Sequence, residues 1–237
     1  MAAKARDCRA RVVLTRRLAP TILEADLSMV DPPALSFDAG QWISVPLGPK
    51  NVRAYTIAST PRIGAAITLC ADVAPGGVGS QWFASLAAGD EVSFKGPLGG
   101  FVFDRADERR PVFIAEEIGI VPIRSMLIDL DEAAVARPAT LIQWAPSPES
   151  LAYHDDFVGL ARRRPDFVYH PVVAENTAEP REWRGTHGTL LDAAARITPA
   201  DARIVYVAGG ESTIKRIREI FVGRGLDRKA VRWERFW

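Results

Sequence analysis

The apolar residues of this 237-residue chain change their spacing once, and that change limits the fold more than any other feature. Up to about residue 103 the apolar runs are short, alternate with polar positions and are separated by Gly and Pro. This is the pattern of antiparallel strands. Runs cover residues 11–15, 21–27, 42–46, 53–59 and 66–73, followed by a turn and strand over 89–94, a tight loop over 96–101 and a closing run over 101–103. Leu18-Ala19-Pro20 joins the first two as a hairpin, and Gly40 opens the third. Six short strands at this spacing predict a small barrel. From Arg110 onward, apolar runs at 111–115, 139–144, 167–173, 203–208 and 230–234 alternate with helical spacing at 121–130, 150–163, 189–196 and 212–221. Alternating strand and helix predicts a parallel sheet with helices on both faces. The polar stretch 104–110 separates the two textures. The expected fold is therefore β + α/β: an antiparallel six-stranded barrel over residues 1–106, then a doubly wound parallel-sheet domain over 107–237.

Charge and cysteine content narrow the chemistry. Thirty Lys+Arg against 29 Asp+Glu leave a net charge of +1, which argues against a bulk electrostatic attraction to nucleic acid or anionic membrane. Two cysteines cannot build a disulfide framework or a four-thiolate iron–sulfur site. His154, His170 and His187 lack metal-type spacing, so no metal site is expected. No apolar run approaches the ~18 residues of a membrane helix. The basic N-terminus lacks the apolar stretch of a signal peptide, and the expected location is the cytoplasm.

Two stretches carry chemistry. Arg53-Ala54-Tyr55-Thr56-Ile57-Ala58-Ser59 reads as a strand that places Arg53, Tyr55 and Thr56 on one face. A cation, a flat ring and a hydroxyl together suit a flavin nucleotide: the guanidinium pairs with phosphate, the ring lies on the isoalloxazine and the hydroxyl reaches the redox-active nitrogen. Pro75-Gly76-Gly77-Val78-Gly79-Ser80 precedes helical spacing from Gln81. Its glycines admit a phosphate to backbone N–H groups, and Ser80 is placed to cap that helix. A packed barrel strand and a plain glycine turn account for either stretch taken alone.

The ordered set is more specific. Gly40-Gln41, Arg53-x-Tyr55-Thr56-x-x-Ser59, Gly76-Gly77-Val78-Gly79-Ser80, Gly89-Asp90 and Gly96-Pro97-Leu98-Gly99 together resemble the FAD-binding barrel of the ferredoxin–NADP reductase superfamily. The resemblance continues through Ser147-Pro148-Glu149-Ser150-Leu151-Ala152-Tyr153, Trp183-Arg184-Gly185-x-x-Gly188 and the ending Trp233-Glu234-Arg235-Phe236-Trp237. It implies FAD in a cleft between two domains, with Arg53 on the pyrophosphate, Tyr55 stacked on the flavin and Thr56 beside its N5. Ile57 and Ser59 belong to the same strand, and Gly77, Val78, Gly79 and Ser80 would bind pyrophosphate. Glu234, Phe236 and Trp237 match the family's C-terminal acid and aromatics near the flavin; a packed strand end fits the first two as well, and fraying the last. Thr56 and Glu234 are the catalytic candidates. Gly119, Ile120, Ser147, Gly209 and Gly210 fall at strand ends that match the family's nicotinamide-nucleotide site.

Three departures stand beside the matches. The family's first loop is usually Gly-Gly-Thr-Gly-Ile-Thr/Ala-Pro, and here the glycine pair is Glu116-Glu117 and the Thr is Ile118. Two carboxylates at the start of a helix stabilise it by roughly 0.3–1 kcal/mol each, yet they occupy and repel the anion such a loop receives. The family's Cys-Gly-Pro is Ala208-Gly209-Gly210, and its arginine after the second strand falls on Pro146. Loss of that cysteine weakens the case for ordinary hydride transfer, and loss of the arginine, a frequent 2′-phosphate ligand in the family, favours NADH over NADPH if a dinucleotide binds at all. The expected activity is FAD-dependent electron transfer from NADH to a separate acceptor protein or small acceptor, in a stand-alone reductase without a fused iron–sulfur domain. The alternative is a flavin-binding electron-relay or redox-sensing subunit that has lost ordinary NAD(P)H binding. His154 and His187 are expected at the surface or in loops, Cys70 as a buried apolar residue, and Gly210-Glu211-Ser212 as the cap of the next helix.

Overall fold

The computed structural model describes residues 4–134, 137–175, 183, 185–198 and 204–236. They divide into two compact units, Met1–Asp104 with Arg124–Ala134, and Arg105–Ile123 with Val135–Trp237.

In the first unit, six antiparallel strands β1 (Arg6–Arg17), β2 (Ile22–Asp31), β3 (Trp42–Pro46), β4 (Val52–Thr56), β5 (Ala66–Asp72) and β6 (Glu91–Leu98) run in the order β4-β3-β6-β1-β2-β5. Alternation explains their inner face: Cys8, Ala10 and Val12 of β1 and Val92 and Phe94 of β6 are buried while their neighbours are exposed. A register shift between Val12 and Leu14 ends that alternation and leaves Val13 and Leu14 in solvent. Leu27, Ile43, Ile57, Leu69, Phe83 and Phe94 fill the core, each large apolar side chain contributing roughly 1.5–3 kcal/mol by burial.

The barrel is not closed by residues 101–103, which form no strand, and residues 96–98 lie inside β6 rather than in a loop. Closure comes just beyond β4 instead. Ile57 bridges Leu69, and the Ala58 N–H donates to the Thr68 carbonyl at 2.8 Å. The strand beginning at Arg53 thus stops at Thr56, because the chain turns there from β3 toward β5.

Helix α1 (Val78–Ser85) lies between β5 and β6 in sequence and inserts Phe83 into the core. It begins three residues before the expected Gln81, so Ser80 lies within the helix and caps nothing. Gly77 is the N-cap, with no side-chain capping bond, and the Ser80 hydroxyl faces the Asp72 carbonyl at 3.5 Å. Helix α2 (Ile120–Glu132) contributes its residues from Arg124 onward to this unit. Arg124 donates to the Ala58 carbonyl at 3.0 Å and Ser125 Oγ to the Ser59 carbonyl at 2.6 Å.

The second unit is a parallel sheet of β7 (Pro111–Glu116), β8 (Ala139–Ala145), β9 (Phe167–Val173), β10 (Thr186–His187), β11 (Ile204–Gly209) and β12 (Val231–Arg235), ordered β10-β9-β8-β7-β11-β12. Its central strands β7 and β11 are buried along nearly their whole length, as a sheet covered on both faces requires. On one face Val112, Ile114, Val205, Val207 and Val231 pack with Leu190 and Ala194 of α4 (Leu190–Ala195) and Ile214, Ile217 and Phe221 of α5 (Glu211–Gly223). On the other, Phe113 stacks on Tyr206 with centroids 5.3 Å apart, and Phe157 of α3 (His154–Arg163) meets the Tyr169 ring at 5.5 Å.

Helix α3 starts four residues later than its apolar spacing suggested, because Tyr153 takes a left-handed conformation (φ 62°) that interrupts the helix there. Strand order reverses between β7 and β11, which puts a crevice at their carboxyl ends.

Candidate functional site

In β4, Arg53 and Tyr55 share a face, but Thr56 does not. Thr56 pairs with Trp42, Tyr55 with Ile43 and Arg53 with Val45, so residue 56 has the opposite parity. The expectation of three functional groups on one face is corrected accordingly: Thr56 is 6% exposed and points away from Arg53. Arg53 is exposed, and its guanidinium donates to the Val52 carbonyl at 2.9 Å. Tyr55 is 7% exposed, its ring 5.2 Å from Trp82 and 5.4 Å from Phe83, and its hydroxyl donates to the Gly79 carbonyl at 2.9 Å. Burial pushes the phenol up to about 12, so it stays protonated and donating.

This hydrogen bond holds the start of α1 against β4. A Cβ at Gly79 would lie 3.0 Å from Arg53 Cγ and 3.2 Å from both Arg53 Cδ and the Tyr55 hydroxyl, whereas one at Gly77 would meet nothing within 4 Å. The first turn of α1, whose N-cap carries no side-chain acceptor, therefore lies beside the Arg53 stem. A helix N-terminus next to a guanidinium is suited to an anion. Ile57 and Ser59 serve the barrel: Ile57 is fully buried, and Ser59 Oγ accepts from the Thr68 N–H at 3.1 Å.

In the second unit, Gly119 and Gly209 come together at the β7–β11 crevice. A Cβ on Gly119 would overlap the Ala208 carbonyl oxygen, and one on Gly209 would lie 2.7 Å from Glu116 Cβ and Oε2. Gly210 is the N-cap of α5 and Ile120 the first residue of α2. Ser147, after β8, shares a 3.0 Å hydroxyl contact with Ser150.

Glu116 does not act at the start of α2 as expected. Its carboxylate crosses the crevice, where Oε2 accepts from the Gly210 N–H at 2.8 Å and Oε1 from the Thr213 hydroxyl at 2.7 Å. It supplies the cap that neither Glu211 nor Ser212 supplies to α5. Glu117 takes a left-handed backbone (φ 47°) that a glycine would adopt at less cost. Thr213 was not singled out in the sequence, since nothing local marks a partner 97 residues away.

Glu234 lies on β12 beside Ala208, partly buried, and its Oε2 has no hydrogen-bond partner among the described residues. Burial pushes this carboxyl up to about 8, so it holds a proton at neutral pH. Phe236 follows β12, its N–H donating to the Gly209 carbonyl at 3.1 Å. Trp237 and Arg184 fall outside the described residues.

His154 is no loose surface histidine. Gln143 Nε2 donates to the Ala152 carbonyl (2.9 Å), which leaves Gln143 Oε1 to accept from the Tyr169 hydroxyl (2.8 Å). That hydroxyl has one proton, so His154 Nδ1, 3.0 Å away, is the protonated nitrogen. Burial lowers the His154 pKa and keeps the ring neutral. Among the described residues no group of three or more His, Cys, Asp or Glu could hold a metal.

Residues 19–103 match the oxidoreductase FAD-binding domain family. The chain is 29% identical over 238 residues to ferredoxin–NADP reductase B of Sorangium cellulosum, covering 96% of each chain. Over almost its whole length the chain is similar to a ferredoxin–NADP reductase, and its residues 19–103 carry the oxidoreductase FAD-binding domain. It is also 32% identical over 179 residues to the reductase component DmpP of phenol 2-monooxygenase from Pseudomonas sp. strain CF600, covering 75% of this chain and 50% of that one. The chain thus spans almost all of the first relative and half of the second.

Among solved structures, the Amycolatopsis cytochrome P450 reductase GcoB superposes with a TM-score of 0.86 at 24% identity, over 98% of this chain and 70% of that one. The flavohem-like FAD/NAD-binding domain of a Vibrio cholerae nitric oxide dioxygenase gives 0.85 at 18% identity, over 98% and 99%. Both likenesses concern the fold. The open backbone at Gly77, in the same turn as Gly79 and the Arg53 stem packed on it, fits the pyrophosphate of FAD. A dinucleotide phosphate does not fit at the first turn of α5, where Glu116 already lies.

Proposed function

We propose that this protein is an FAD-dependent oxidoreductase that takes electrons from NADH and passes them to a separate acceptor, a redox protein or a small molecule. The observation that carries the reading is the convergence of the Arg53 stem, Gly79 and the Tyr55 hydroxyl at the first turn of α1, within a barrel of the FAD-binding family. FAD, when bound, supplies the exchange between two-electron hydride chemistry and one-electron transfer.

The chain's own residues bind and orient. Arg53 and the N–H groups of Gly77, Val78, Gly79 and Ser80 would hold the pyrophosphate. Tyr55 fixes Gly79 in register, so its contribution comes through its hydroxyl while its ring packs on Trp82 and Phe83. Thr56, Ile57 and Ser59 shape the end of the same strand. Glu234 holds a proton on its carboxyl at neutral pH, available to a reacting group. Gly119, Ile120, Ser147, Gly209 and Gly210 border the nucleotide site at the carboxyl ends of β7, β8 and β11.

The relatives include a ferredoxin–NADP reductase and an oxygenase reductase component, which supports a protein acceptor of the ferredoxin or oxygenase type. A boundary at residues 106–107 and a cytoplasmic location, where NADH is drawn from, belong to the same reading. The second reading, a flavin-binding relay or sensor without dinucleotide use, is favoured by one observation, the Glu116 carboxylate already seated on α5.

Arg53→Ala tests the FAD site. Loss of a charge-assisted hydrogen bond, about 1.5–3 kcal/mol, corresponds to FAD binding weaker by roughly ten- to a hundredfold. Isothermal titration of the apoprotein with FAD reads this directly, and unchanged affinity would contradict the assignment. NADH-dependent reduction of ferricyanide by the FAD-loaded protein tests the activity, and no turnover with NADH would remove the reductase reading.

A further inference from the structure

Glu116 ends β7 and Gly209 ends β11, on either side of the point where strand order reverses. In open parallel sheets this is where ligands enter. The Glu116 carboxylate crosses that crevice and accepts from the N–H of Gly210, the N-cap of α5, at 2.8 Å and from the hydroxyl of Thr213, in its first turn, at 2.7 Å. Gly209 makes room for it, since a Cβ there would lie 2.7 Å from Glu116 Oε2. The partial positive charge of a helix N-terminus is therefore answered by an anion that the protein itself supplies.

We propose that Glu116 is a specificity-determining residue of this crevice: its carboxylate on the first turn of α5 excludes phosphate and admits only an uncharged, hydroxyl- or amide-bearing part of the dinucleotide. The inference rests on the NADH-reductase reading and deepens it. A phosphate brought to this point meets a like charge, and two of the donors there, the Gly210 N–H and the Thr213 hydroxyl, are taken. A ribose hydroxyl or a carboxamide N–H meets an acceptor instead, because a carboxylate offers about four lone-pair sites and α5 uses two. The dinucleotide's pyrophosphate is thereby kept away from α5, and the orientation of the nucleotide in the crevice is set.

The test is binding of inorganic pyrophosphate to the FAD-loaded full chain by isothermal titration, in the parent protein, Glu116→Gln and Thr213→Val. Glu116→Gln removes the charge and keeps an oxygen acceptor for α5. Thr213→Val loosens the same contact but keeps the charge. The expected result is pyrophosphate binding at least tenfold tighter in Glu116→Gln, with Thr213→Val unchanged from the parent. Equal gains in both variants would assign the effect to a loosened helix end, and no gain in Glu116→Gln would show that the carboxylate excludes nothing. Either result overturns the proposal, as would tight pyrophosphate binding by the parent protein. The titration requires no turnover. A protein that fails to oxidise NADH yet shows the tenfold gain loses the reductase reading and keeps the anion exclusion.

Discussion

Glu234 is the residue whose environment most alters its chemistry. Burial pushes its folded pKa up to about 8, above the ordinary value of 4.5. The folded protein keeps this proton where the unfolded chain has released it. The stability this gives is therefore full below pH 4.5 and declines as pH rises toward 8, by up to ~1.4 kcal/mol per pH unit. Glu234→Gln should flatten that slope. Urea unfolding at pH 5 and pH 8 checks it, and equal slopes in the two proteins would mean the carboxyl is not desolvated. If Glu234 also provides a proton in turnover, the same variant should lower kcat by 10²–10⁴-fold, read from NADH oxidation at saturating acceptor.

At this scale the sequence was legible for residue type and misleading for direction. Arg53, Tyr55 and Gly79 were recognisable and do converge. Thr56 was misplaced by simple parity, since a strand's period of two puts 53 and 55 together and 56 opposite. The partner of Glu116 lies 97 residues on, and no local pattern encodes it.

The elements show why certain glycines and caps matter. Gly79 sits inside α1, where alanine would ordinarily strengthen the helix by roughly 0.5–1 kcal/mol. Its Cβ would instead press on Arg53 and the Tyr55 hydroxyl at 3.0–3.2 Å. Gly79→Ala should therefore shift stability by less than about 1 kcal/mol while weakening FAD binding about tenfold. Thermal denaturation beside FAD titration separates the two effects.

Helix α4 begins at Thr189, whose hydroxyl accepts from the Asp192 N–H at 3.1 Å and donates to the Asp192 carboxylate at 2.7 Å. Thr189→Ala should cost about 1 kcal/mol, measured by denaturant unfolding. That cap was not called from the sequence, although the helix was. The existence of each helix and of every strand except the two-residue β10 followed from apolar spacing, whereas the ends depended on contacts that spacing does not carry. Barrel closure at Ile57 and Leu69 rather than at residues 101–103 is the clearest example. The early start of α1 is another: an uncapped Gly77 opens the helix, leaving Ser80 in its interior.

For the whole molecule, the single change of apolar spacing near residue 107 was enough to separate an antiparallel barrel from a parallel α/β sheet, because each architecture buries its strands differently. Six strands form each sheet, and the likeness in fold to a known FAD/NAD-binding domain extends over both. The Glu116-Glu117 loop in the second sheet bears most directly on what the molecule does with a nicotinamide nucleotide. The measurement that decides the central claim is anaerobic mixing of the FAD-loaded protein with NADH, followed at the absorbance maximum of oxidised flavin. The account predicts rapid bleaching by NADH, and slower bleaching by NADPH. Dithionite bleaching the flavin while neither nucleotide does would contradict it, and would leave a flavoprotein supplied with electrons by a partner.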